Sequence, residues 1–162
     1  MRRIEESIVI NRPCPEVFAY LENRSNDPTW MLMVQESEWL ASGTEDSSGR
    51  VSVGRRGRMV MKLQGRRREF IDEVTDYRPG HRIAHRTVEG PFQLNTACIC
   101  EPESVGCRAT VVGEADRLLS GRFGRLLDPF VAYGIRRSFR ADLARLKTIL
   151  EGNPAGASNQ NA

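Results

Sequence analysis

With 162 residues, 40% of them apolar and 28% charged, the chain has the size and mix of one globular domain with a single good core. A net charge of only +3 is too small to require a polyanionic partner, so nucleic acid is not expected. All the cations but Lys62 and Lys147 are Arg. That bias fits either bidentate recognition of phosphate or carboxylate or the codon usage of a GC-rich genome.

Cys14, Cys98, Cys100 and Cys107 do not have the paired spacing of a structural zinc site, and neither a metal nor a cofactor is expected. Met1-Arg2-Arg3 leads straight into a short alternating strand, which does not resemble a signal peptide. No window approaches the roughly 18 apolar residues of a membrane span. The expectation is therefore a cytoplasmic protein with reduced thiols. Whether it forms a homodimer is left open.

Arg3 to Ile10 alternates and ends in the β-branched run Ile8-Val9-Ile10, which predicts a strand. Pro15, with Glu16 behind it, suits the first turn of a short helix to about Glu22, whose apolar stripe is Val17, Phe18 and Leu21. Ser25 to Pro28 reads as a turn or as the cap of a second helical piece holding Trp30 and Met31. Six strands follow: Val34 to Ser42, Val53 to Leu63, Arg66 to Tyr77, His81 to Val88, Phe92 to Glu101 and Cys107 to about Leu118. Short turn signals such as Gln64-Gly65 and Arg78-Pro79-Gly80 separate most of them, predicting an antiparallel meander. A polar loop, Thr44 to Arg50, follows the first of the six. Phe123, Leu127, Phe130, Val131, Ile135, Phe139, Leu143, Leu146 and Leu150 then mark a helix from about Ser120 to Glu151, which Pro129 is expected to kink or divide near Leu127-Asp128. Residues 1–152 are expected to form one domain and 153–162 a disordered tail.

The predicted class is thus α+β, a curved antiparallel sheet of six to seven strands around a long C-terminal helix, with two short helices after the first strand. A helix of about 30 residues runs roughly 45 Å and crosses such a sheet without filling its concave face. Alternation places Phe92, Leu94, Thr96, Cys98 and Cys100 on one face, and Ala109, Val111, Gly113 and Ala115 on one face of the next strand. Those residues are mostly small, and Met59 and Met61 nearby are adaptable. Either a cavity for an apolar ligand opens there, or the bulky helix residues fill the space.

Arg12 to Leu21, then Asn26-Asp27-Pro28-Thr29-Trp30, Glu73 to Pro79 followed by Arg82-Ile83, Cys100-Glu101-Pro102 with Gly106 and Arg108, and Arg140 to Lys147 carry a family likeness. Taken in order, they resemble the polyketide cyclase/dehydrase-like branch of the START/pollen-allergen-like (SRPBCC) superfamily over about residues 3 to 151. The resemblance implies the helix-grip fold and binding of a hydrophobic small molecule, lipid- or polyketide-like. It also leaves room for cyclase, aromatase or dehydratase chemistry. The superfamily supplies no universal catalytic motif. Where relatives often carry aromatics in the sixth strand, this chain has Cys98 and Cys100.

The residues expected to meet a ligand are Trp30, Met59, Met61, Phe70, Val74 and His85 from the first half of the chain. Leu94, Cys98, Val111, Phe130, Tyr133 and Phe139 join them from the second. His85, the one inward imidazole, and Asp72 on a neighbouring strand are the candidate acid–base pair; a histidine satisfied by its neighbours or by water is the plainer reading. His81 is expected to be a solvated turn residue. Cys98, Cys100 and Cys107 read either as small apolar fillers or as a thiol ligand or redox set, with Cys100 near Cys107. Arg55, Arg56 and Arg58 with Arg66, Arg67 and Arg68 are expected on a solvated outer face rather than on an anionic partner.

Overall fold

The computed structural model describes residues 2–41, 49–115 and 124–152. Its elements run β1 (Arg2–Ile10), α1 (Cys14–Glu22), a 3₁₀ turn (Arg24–Asn26), α2 (Asp27–Trp30), β2 (Val34–Trp39), β3 (Arg56–Leu63), β4 (Arg66–Arg78), β5 (Arg82–Glu89), β6 (Leu94–Glu103), β7 (Gly106–Ala115) and α3 (Gly124–Gly152). The seven strands form one antiparallel sheet in the order β1-β7-β6-β5-β4-β3-β2. The meander is continuous from β2 to β7, and β1 returns to the outer edge of β7. This is the helix-grip fold. The expected loop from Thr44, the extension of β7 to Leu118, the start of the last helix at Ser120 and Phe123, and the tail beyond 152 lie outside the described residues, apart from Gly49 and Arg50.

Local chemistry accounts for the corners. Gln64 and Gly65 both have positive φ, 51° and 76°, the pair a tight two-residue hairpin between β3 and β4 demands. Pro13 caps α1 and Pro15 lies in its first turn, so neither removes a needed donor. Val17, Phe18 and Leu21 bury against β6 and β7.

The long helix α3 is anchored at its C-terminal half, where Leu143 and Leu146 are fully buried; each such side chain contributes about 1.5–3 kcal/mol. The helix packs chiefly on β1. Lys147 Nζ donates to Val9 O at 2.7 Å, and Arg12 Nε to Leu150 O at 2.9 Å. The Glu151 carboxylate accepts from the Asn11 amide at 2.9 Å. These bonds tie the end of α3 to the β1–α1 corner and leave its first half to span the concave face. The helix runs unbroken through Pro129, so the expected kink does not divide it.

Two sequence expectations about side chains are corrected here. Cys14 and Cys107 are not free thiols but form a disulfide, with Cα atoms 5.0 Å apart. They are 93 residues apart in sequence, yet Ile10 at the end of β1 pairs with Cys107 on β7, and α1 begins four residues later. Cys100 lies opposite Ala109, not Cys107. His81 is not a solvated turn residue: its Nδ1 lies 2.8 Å from Cys100 O, and its own carbonyl accepts from the Cys100 amide at 2.7 Å. The imidazole thereby fastens the start of β5 to β6. No helix among the described residues is long and apolar enough to cross a membrane.

Candidate functional site

The concave face of the sheet and the first half of α3 enclose a cavity of about 1110 Å³. Its walls follow from strand alternation. Met59 and Met61 face it from β3, Phe70 from β4, Leu94, Thr96 and Cys98 from β6, and Val111, Gly113 and Ala115 from β7. Trp30, Val131, Ile135 and Phe139 close the helical side. A Cβ at Gly113 would crowd the Phe139 ring, so the helix fills part of the space that small strand residues leave. The remainder is open, and Met33 at its margin reaches solvent.

Toward its inner part the apolar wall gives way to a cluster of buried polar groups. Arg24, 4% exposed, leaves the 3₁₀ turn and donates through Nη1 and Nη2 to the two oxygens of Asp72 on β4, both at 2.6 Å. Its Nε donates to Ser37 Oγ at 3.0 Å, and that hydroxyl donates to Asp27 at 2.6 Å. The guanidinium lies 4.9 Å from the centre of the Trp39 ring, and Arg55 lies 4.7 Å from the same centre. Such stacking compensates part of a cation's desolvation. This arrangement depends on Gly57, which faces Asp72 across β3 and β4; any Cβ there would overlap the Arg24 guanidinium. His85 on β5 completes the cluster, with Nδ1 3.3 Å from Asp72 Oδ1. The ring is not aligned for a hydrogen bond, and Nδ1 is left buried without one. Trp30 Nε1 is a buried donor with no partner at all. Unpaired buried donors of this kind favour a ligand or water that satisfies them.

Burial alone would raise the Asp72 carboxyl, but the Arg24 fork and the adjacent His85 outweigh it and hold it below its usual range. Asp27 behaves oppositely. Burial pushes it up to about 6, although the Ser37 hydroxyl and the Arg24 charge pull it down. A carboxyl whose folded pKa lies above its unfolded value of 3.8 gives stability that is fully present below that value and is lost as pH rises through about 6. Carbon-13 titration of the Asp27 carboxyl is therefore expected to show a midpoint near pH 6, and Ser37→Ala to move it higher. A midpoint near pH 4 would mean that water reaches the cluster. Burial also pushes the Cys98 and Cys100 thiols up to about 12, which makes both poor nucleophiles. No group of three or more His, Cys, Asp and Glu among the described residues could hold a metal ion.

Of the residues singled out from sequence, Trp30, Met59, Met61, Phe70, His85, Leu94, Cys98, Val111 and Phe139 line the cavity, as does Asp72. Three do not. Val74 is completely buried in the core with Val17, Phe18 and Ile83, on the cavity-facing side of β4 but beyond the cavity's end. Phe130 and Tyr133 are 76% and 65% exposed, because α3 turns Val131, Ile135 and Ser138 inward instead. Sequence reasoning missed Arg24 and Asp27 as members of the cluster. A glycine inside a strand, here Gly57, is the available signal that something approaches the backbone closely.

Residues 1–151 match the sequence profile described as polyketide cyclase / dehydrase and lipid transport. The chain belongs to this family. As a member of the polyketide cyclase/dehydrase-like branch of the START-like proteins, it shares its fold with several solved bacterial structures. A Thermus thermophilus protein is 19% identical, with a TM-score of 0.76 over 94% of this chain and 99% of that one. The Zhui aromatase/cyclase from a Streptomyces species is 16% identical, with a TM-score of 0.73 over 96% and 98%. A START superfamily protein from Mycobacterium smegmatis is 14% identical, with a TM-score of 0.65 over 91% and 98%. At these identities the likeness is one of fold. No protein of curated function matches this family member closely enough to assign its activity.

Proposed function

We propose that the chain binds a hydrophobic small molecule, lipid- or polyketide-like, inside the cavity. One observation carries the reading: about 1110 Å³ of space under α3 is walled mainly by apolar side chains and ends on a buried polar cluster. Apolar walls supply affinity through removal of ligand surface from water, and a few fixed polar groups supply orientation. The buried Trp30 Nε1, which has no partner, suits a ligand that also brings a hydroxyl or carbonyl oxygen. Titration with the neutral apolar fluorophore N-phenyl-1-naphthylamine tests the reading. Saturable one-to-one binding, reversed by extracts of ligand co-purified with the protein, is the expected result; no saturable binding would overturn it.

A second reading, a cyclase, aromatase or dehydratase using the same cavity, is favoured by the 3.3 Å approach of His85 to Asp72. His85 lines the cavity beside Asp72, and an imidazole so placed can lend a proton to a ligand oxygen or take one from an adjacent carbon. His85→Ala separates the two readings. If the ligand binds and leaves chemically unchanged from both proteins, the catalytic reading loses its support. If the wild-type protein converts the ligand while the variant only binds it, catalysis is the function.

A further inference from the structure

The arginines of the β3–β4 hairpin, expected together on the outer face, divide between the two faces of the sheet. On the convex face Arg58 lies within 3.3 Å of Glu36, Glu38 and Glu69, and Arg67 pairs with Glu36 and Gln35. Those cations are neutralised where they stand. Arg66 and Arg68 have the parity of Phe70 and Asp72, which puts them on the concave face of β4, beyond the residues that line the cavity itself. They lie opposite Leu63 and Met61, which both line the cavity. Both arginines are exposed, and neither has an acidic partner among the described residues. The inner face of β4 therefore reads, from the hairpin tip inward, as two unneutralised cations, then Phe70, then Asp72 in the polar cluster. From Arg68 to Asp72 is four residues, about 14 Å along the strand.

We propose that the ligand is an amphiphile with an anionic head, a carboxylate or phosphate, held at the cavity mouth by Arg66 and Arg68 while its apolar body lies inside. This rests on the hydrophobic-ligand reading above and adds the chemistry of the head. Forked guanidinium donors match both oxyanions, and at the mouth the anionic head keeps part of its hydration while the chain behind it leaves water. The same head chemistry comes from two sources, a free amphiphile and a lipid still in a membrane, and the test has an arm for each.

Displacement of N-phenyl-1-naphthylamine by oleate is compared with displacement by oleyl alcohol, which has the same chain and a neutral head. The wild-type protein is expected to prefer oleate at least tenfold, with the preference shrinking as salt screens the mouth. In the R66Q/R68Q double variant the fluorophore and the alcohol bind as before and the preference disappears. Co-sedimentation with phosphatidylglycerol and phosphatidylcholine vesicles then identifies the source. Binding to the anionic vesicles that is lost in the double variant points to a membrane lipid; oleate preference without vesicle binding points to a free amphiphile. Equal displacement by oleate and oleyl alcohol, or a preference that survives R66Q/R68Q, overturns the anionic head and leaves the cavity reading standing. Failure of the fluorophore itself to bind removes both.

Discussion

Asp72→Ala is expected to lower the free energy of unfolding by about 3–5 kcal/mol, measured by urea denaturation near neutral pH. Both oxygens of Asp72 are engaged by Arg24, and both residues are buried. Removing the carboxylate strands a guanidinium at 4% exposure, its remaining direct contacts being Ser37 and the Trp39 ring. A guanidinium keeps its charge in proteins, so the penalty falls on the fold. The nearby Asp27, pushed up to about 6 by burial, responds: with Asp72 gone its repulsion disappears, and Asp27 is drawn toward ionisation by Arg24. The loss should therefore be larger at pH 5, where Asp27 is mostly protonated, than at pH 8. Replacing both partners, Arg24→Leu with Asp72→Leu, removes the stranded charge and should recover most of the stability. A loss under 1 kcal/mol in the single variant, or a double variant less stable than the single, would show that water already solvates the cluster.

That cluster marks the boundary of what the sequence displays. Period-two alternation is a local property, so it assigns Met59, Met61, Leu94, Cys98 and Val111 to the concave face from neighbours two residues away. Alternation gives the face but not the depth. Val74 obeys the same parity as Phe70 and Asp72, yet lies past the cavity's end against α1. On α3 the apolar stripe is wide, and the large rings of Phe130 and Tyr133 point the eye to a side that faces outward. The inward side there includes Ala132 and Ser138, whose size says little. Arg24 is less visible still. It sits in a polar stretch between two short helices, and its partner is 48 residues away in sequence; a lone charge in such a place reads as solvated until β4 is folded beneath it. The Cys14–Cys107 disulfide is hidden for the same reason, since only the pairing of β1 with β7 brings the two residues together.

Val111→Phe is expected to weaken binding of N-phenyl-1-naphthylamine at least tenfold, about 1.4 kcal/mol, without loss of stability. Val111 lies opposite Cys98 in the β6–β7 register, and both face the cavity. A ring at 111 enters space that holds no protein atoms, so it takes ligand volume and gains apolar burial of its own. The neighbouring position of the same parity provides the contrast. Ala109 is 1% exposed and belongs to the core that includes Leu143 and Leu146; Ala109→Phe adds its ring where the packing is already complete, and overpacking of that kind costs about 1–3 kcal/mol. The two variants differ by one step of alternation along one strand, so they share strand, face and introduced ring and contrast filled with empty space. If Val111→Phe destabilised the protein as much as Ala109→Phe and left the fluorophore's affinity unchanged, the space between α3 and β7 would be core rather than cavity. Retained stability with lost binding would place the ligand against β7, under the first half of α3.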